Sequence, residues 1–142
     1  MITDKLLRVS DAQAVTTTAV STDTVDLSQA RDIGEGKTLY MHFAVGTAFA
    51  GGTSTNFEVI TSDSADLSSP VVIGSSGAIA TASLTAGKRT AVKFNPQIGS
   101  NGKRYIGARY TVVGTNTAGT VTADVVESIQ DSKAYASGFS VV

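Results

Sequence analysis

Cysteine and tryptophan are absent from the 142 residues, and histidine occurs once, as His42. Without cysteine there is no disulfide, no thiolate nucleophile and no thiolate metal or redox site, and the chain suits a reducing compartment. One histidine cannot build a three-histidine zinc site or a two-histidine facial triad within a single chain. Charge is sparse too: 16% of residues are Asp, Glu, Lys or Arg, against roughly 25% in an average soluble domain. Eleven basic and twelve acidic residues leave a net charge of -1. No positive field is available to release counterions from a phosphate backbone, so nucleic acid is not an expected partner. No apolar run approaches the roughly eighteen residues of a helical membrane span. Met1 to Ser10 also lacks the apolar stretch and small-residue cleavage site of a secretion signal. Neither membrane insertion nor export is expected, and no N-x-Ser/Thr sequon marks the chain for glycosylation.

What remains is a length that fits one domain able to bury a sizeable core without staples. Hydrophobic residues make up 42% of the chain and aromatics only 6%, so the core is expected to consist largely of Val, Ile, Ala and Leu. Short β-prone runs recur between clusters of Gly, Asn, Asp and Ser, with no sustained 3.6-residue apolar period. The expected strands are Val15 to Val20, Thr24 to Leu27, Thr38 to Val45, Thr55 to Thr61, Pro70 to Ile73, Thr90 to Phe94, Tyr105 to Val113 and Thr120 to Val126, with Gly77 to Leu84 a further one. Leu39, Met41, Phe43 and Val45 alternate toward a core, as do Val121, Ala123 and Val125, whose neighbours Thr120, Thr122 and Asp124 read as a solvated face. Gly74 to Gly77 and Asn101-Gly102 read as turns, and Gly114 to Gly119 as the closure of a hairpin between the last two strands. Thr3 to Val9 and Asp26 to Asp32 have room for one helical turn each. The expected fold is all-β: one domain over residues 1–142, a two-sheet sandwich of jelly-roll or other Greek-key type. Arms of about residues 1–10 and 128–142 carry apolar Leu6, Leu7, Tyr135 and Phe139 outside the strand rhythm.

No pattern of catalytic residues emerges. His42 has no G-x-S-x-G elbow to serve, and strand packing is its expected role. Gly36-Lys37-Thr38 has the ending of a phosphate-binding loop, but Arg31 stands where the earlier glycine is required, and the tripeptide leads into a strand instead of a helix. Asp63 with Asp66, and Asp23 with Asp26, sit among serines where aspartates cap turns. In the basic-aromatic run Lys103 to Tyr110, Tyr105 and Tyr110 fall on opposite faces of a strand, which spoils base stacking, while Arg109 is left for solvent or a partner. Neither enzyme activity, cofactor nor metal is expected. A carbohydrate- or receptor-binding sandwich is the alternative, although the chain is poor in the aromatic platforms that sugars use.

Blocks in one order along the chain resemble those of tailed-phage capsid cement, or decoration, proteins. They are LLRVSDAQAV at residues 6–15, DLS at 26–28, ARDIGEG at 30–36, FEVIT at 57–61, LSSP at 67–70, GSSGAI at 74–79, RYIGARY at 104–110 and SGF at 137–139. The loops at 47–53 and 94–103 depart from the pattern. The resemblance implies a jelly-roll-like, non-enzymatic protein, made in the host cytoplasm and carried on the virion's capsid surface. There it would bind the major capsid protein, tie neighbouring subunits together and pair with itself, as a homodimer first and a trimer next. Leu6, Leu7, Arg8, Arg109, Tyr135 and Phe139 are the residues expected at its interfaces.

Overall fold

The computed structural model describes residues 3–29, 37–95 and 102–129. Nine strands form among the described residues: β1 Arg8–Ala14, β2 Ala19–Val20, β3 Val25–Asp26, β4 Leu39–Val45, β5 Ser54–Ser62, β6 Val71–Ala80, β7 Arg89–Phe94, β8 Tyr105–Val113 and β9 Thr120–Val126. Two short 3-10 turns, Lys5–Leu7 and Thr81–Ser83, are the helical elements among the described residues.

One sheet runs β1-β9-β4-β7 and the other β2-β8-β5-β6, with β3 also on β8, and every pairing is antiparallel. Ala19 pairs with Tyr110 and Val25 with Ile106, so β2 and β3 are two halves of one edge strand. Ser21 bridges the gap: its N–H donates to Ala108 O at 2.8 Å and its hydroxyl accepts from Ala108 N at 3.0 Å. Counted this way, each sheet has four strands and the chain passes between them in jelly-roll order.

Alternation explains the layers. Met41, Phe43 and Val45 of β4 and Val121, Ala123 and Val125 of β9 point inward as the pattern predicts, against Phe57 and Val59 of β5 and Ala108 and Tyr110 of β8. The core is more aromatic than composition suggests. Phe43, Phe49, Phe57 and Phe94 are all buried, and Phe43 stacks on Phe57 at 5.0 Å with the Tyr110 ring edge-on to both. A few large rings spare the small aliphatic residues from having to fill the sandwich alone.

Several local expectations are corrected. Arg8, Val9 and Ser10, assigned to an N-terminal arm, belong to β1, and Val9 and Ser10 are fully buried. The strand expected at Val15 to Val20 is instead β1 followed by the two residues of β2, because Val9 and Val15 both serve the core. Gly74 to Gly77 is no turn: β6 runs through it, and a register shift opposite Asn56 and Glu58 absorbs Gly77 at φ +73°. The runs Pro70 to Ile73 and Gly77 to Leu84 are thereby one strand and its following 3-10 turn. Gly114 to Gly119 closes no hairpin, since β8 and β9 lie in opposite sheets. It crosses the sandwich and is pinned by Asn116, which donates from its side chain to Val15 O at 3.0 Å and from its backbone to Thr16 O at 2.8 Å. Asp124, placed on a solvated face, is 3% exposed. Asn101 and residues 30–32, with the turns expected there, lie outside the described residues.

Candidate docking surface

At the end of the sandwich where β1 begins and β9 finishes, the layers part. The opening is an apolar hollow of about 190 Å³ walled by Leu7, Val25, Leu27, Leu39, Phe94 and Val125, with Glu127 at its edge. Leu7, Val25, Leu27, Leu39 and Phe94 sit at or just beyond the end of an element, and Val125 lies one residue short of the end of β9. Leu7 gets there through the Lys5–Leu7 turn. Asp4 caps that turn, its carboxylate accepting from Leu6 N at 2.9 Å and its carbonyl from Leu7 N at 3.0 Å. The turn presents adjacent leucines differently: Leu7 is half-buried in the wall, and Leu6 stands 84% exposed.

Ion pairs border this end. Arg104 grips Asp26 with two bonds of 2.8 and 2.9 Å; together with the Ser28 N–H they hold the Asp26 carboxyl down at about 2, and the carboxylate raises the arginine in return. Lys37, the residue of the phosphate-loop look-alike, pairs with Glu127 and lowers its carboxyl, and the chain enters β4 two residues later. Arg8 donates from Nε to Asp124 at 2.8 Å and from Nη1 to Asp11 at 3.3 Å, and is raised chiefly by its bond to Asp124.

A family model described as Bbp16 matches residues 9–125. The chain belongs to the Bbp16 family. This is a phage-type domain family, which supports the coarser part of the likeness read from the blocks above. No curated protein matches the chain. The Bbp16 match begins at the second residue of β1 and ends at the last residue but one of β9, so it takes in the whole sandwich. Leu6, Leu7 and Arg8 lie just outside it, beside the hollow.

Of the residues expected at interfaces, the structure brings together Leu6, Leu7 and Arg8 at this end. Arg109 is elsewhere: Tyr110 points into the core, so Arg109 faces outward from the other sheet, where its Nε donates to Glu58 at 2.6 Å. Thr111 and Asn56 also donate to that carboxylate, at 2.8 and 3.0 Å, which makes Arg109 a brace within the sheet. Tyr135 and Phe139 lie outside the described residues. The sequence reading missed Leu27, Val25 and Phe94 as one surface, and the two buried carboxylates Glu58 and Asp124 gave it no pattern to find.

His42 is 5% exposed on β4, opposite Asp124 of β9 in the ladder. Its Nδ1 has no hydrogen-bond partner among the described residues, and burial first, then the charge of Arg89, lowers its basicity against the pull of Asp124. Among the described residues no three His, Cys, Asp or Glu side chains gather where they could hold a metal ion. Asp63 pairs with Lys103 at 2.8 Å, and Asp66 caps its turn through Ser68 N at 3.0 Å. Tyr110 is fully buried and has no face to offer a sugar.

Proposed function

We propose that this Bbp16-family protein is a structural cement protein of a phage head. It docks on the outside of the assembled shell with the end of the sandwich that carries Leu6, and it ties neighbouring major capsid subunits together. The observation that carries this reading is the match to a phage-type family across the whole sandwich. The placement of Leu6 is compatible with it: a large apolar side chain 84% exposed on a capped turn offers area that a partner surface can bury. Burying it stabilises a contact by roughly 2 kcal/mol. One such anchor is weak, but a protein engaging two subunits, as a homodimer or trimer, gains effective concentration from each contact already made.

The test is co-sedimentation with expanded shells of the matching major capsid protein at near-physiological salt. Saturable binding is expected, and Leu6→Ser is expected to weaken it about tenfold or more, while leaving the thermal midpoint within about 2 °C because so exposed a side chain supports no packing. If the wild-type protein stays in the supernatant at every ratio, this reading is withdrawn.

A further inference from the structure

Ile60 and Leu67 are buried, yet both stand apart from the core between the sheets. Ile106 and Ala108 belong to that core, so Gly107 between them faces outward from β8, and Ile60 lies opposite it on β5. Val72, on the other side of Ile60 in the ladder, is 40% exposed. Leu67 lies directly on Gly107, where a Cβ would come 2.4 Å from Leu67 Cδ1 and 2.9 Å from Ser21 Oγ. The outer face of this sheet therefore carries a small apolar seat, and the connection between β5 and β6, residues 63–70, brings a leucine to close it.

That connection is held in an unfavourable backbone conformation. Leu67 has φ +57° and Ser69 φ +46°, the left-handed region that a side chain disfavours, and Ser69 is further restricted by Pro70 after it. Its hydrogen bonds close almost entirely on itself. Leu67 N donates to Ser64 O at 3.0 Å and Ser68 N to Asp66 Oδ1 at 3.0 Å, while Ser62 Oγ accepts from Ser64 N at 3.1 Å and donates to Ser68 O at 2.6 Å. Toward the sheet, the described residues add the Lys103–Asp63 ion pair, whose aspartate is 67% exposed, and the Leu67 side chain in its seat. A segment bonded to itself, strained at two residues and tied down mainly by one apolar side chain is built to open without disturbing the strands beneath it.

We infer that residues 63–70 are a strap with its own opening equilibrium, with Leu67 as its latch. Closed, it covers Ile60; open, it relieves the strain at Leu67 and Ser69 and joins Ile60 to Val72 as an apolar spot on the side of the sandwich. This inference stands apart from the cement reading, because the latch and its seat belong to one chain and need no shell.

The chain has no cysteine, so a single introduced thiol reports its own exposure. Ile60→Cys is to be compared with Val59→Cys, its neighbour on the inner face of β5; both wild-type side chains are 0% exposed. In the folded state, labelling by a thiol reagent is expected to be about tenfold or more faster at position 60, at a rate that low urea leaves unchanged. Adding Ser69→Gly, which relieves the backbone and keeps the latch, is expected to slow that labelling about fivefold. Adding Leu67→Ala, which keeps the backbone and removes the latch, is expected to speed it about tenfold. Hydrogen exchange of the unsubstituted chain gives a second readout, independent of how the cysteine variants fold: the Leu67 and Ser68 amides are expected to exchange well ahead of those of β5 and β8. Equal labelling at positions 59 and 60, strap amides that exchange only with the strands, or a Ser69→Gly that leaves the rate unchanged or raises it, overturns the inference.

Discussion

Tyr110 on β8 donates its phenolic hydrogen to Ser10 Oγ on β1 at 2.7 Å, joining the two sheets through the middle of the core. Ser10 passes the contact on: its hydroxyl donates to Gln13 Oε1 at 2.7 Å, and the Gln13 amide donates to Val20 O at 2.8 Å. Tyr110→Phe keeps the ring packing but strips Ser10 of its donor, and is expected to cost about 1–2 kcal/mol in urea denaturation at neutral pH. Burial pushes the Tyr110 phenol well above its ordinary range, against the pull of Ser10. A raised value favours the neutral form in the folded state, so this stabilisation is complete below about pH 10 and declines as pH rises further. The wild type is expected to lose stability more steeply than Tyr110→Phe between pH 9.5 and 11.

The Arg8–Asp124 pair joins a carboxylate whose side chain is 5% exposed to a guanidinium at 31%. Removing the arginine strands the carboxylate. Arg8→Ala is expected to cost about 2 kcal/mol, below the figure for a fully buried pair because the arginine side remains wet. Asp124→Asn in the same chain is expected to recover part of that loss, and a double-mutant cycle by denaturation reads the coupling directly.

His42 gives the chain a pH response in the near-neutral range. Its folded-state basicity is depressed, first by burial and then by Arg89, so the folded state favours the neutral ring. Stability is therefore full above the ordinary value of 6.5 and falls as pH drops below it, where the unfolded chain takes up the proton first. Asp26, held down at about 2, titrates far below this window. Denaturation midpoints from pH 8 to pH 5 are expected to fall in the wild type and to fall less in His42→Gln.

Two glycines of β6 separate close approach from backbone conformation. A Cβ on Gly74 would lie 2.8 Å from Val92 Cγ1 and 2.9 Å from Lys93 O, where the two sheets meet at β6 and β7. On Gly77 it would meet nothing within 4 Å, although φ there is +73°. Gly74→Ala is expected to cost about 1–3 kcal/mol through overpacking. Gly77→Ala should cost only the roughly 1 kcal/mol of an unfavourable φ. Thermal denaturation of the two single variants ranks them.

Much of this architecture is written in local periodicity. β8 and β9 lie where alternation put them, and β4 begins one residue later than expected, because inward positions such as Met41, Phe43, Val121 and Ala123 repeat every second residue. The β6 region was misread because glycine and serine signal a turn, and only pairing with β5 shows that a bulge meets the same backbone demand. The supposed hairpin at Gly114 to Gly119 failed for a related reason: turn residues report that the chain bends, not which sheet it enters next. Leu6, Leu7 and Arg8 drew attention as apolar and basic residues outside the expected strand rhythm, although Arg8 opens β1. The rest of the hollow was illegible, since Leu27, Leu39 and Phe94 converge only through strand order, and Arg109 drew attention for a charge that Glu58 satisfies.

The position of β9 between β1 and β4 bears on how the molecule is made. Arg8 meets Asp124 across a separation of 116 residues, so β1 has no neighbour in its sheet until residues 120–126 leave the ribosome. The sheet opposite is complete once β8 has emerged. Synthesis therefore passes through a stage in which one sheet is whole and the other lacks its middle, with Val9, Met41 and Phe43 waiting for Val121 and Ala123 to cover them. A free chain truncated after Gly119 is in that state, and a protease digesting it should cut within β1 and spare β5.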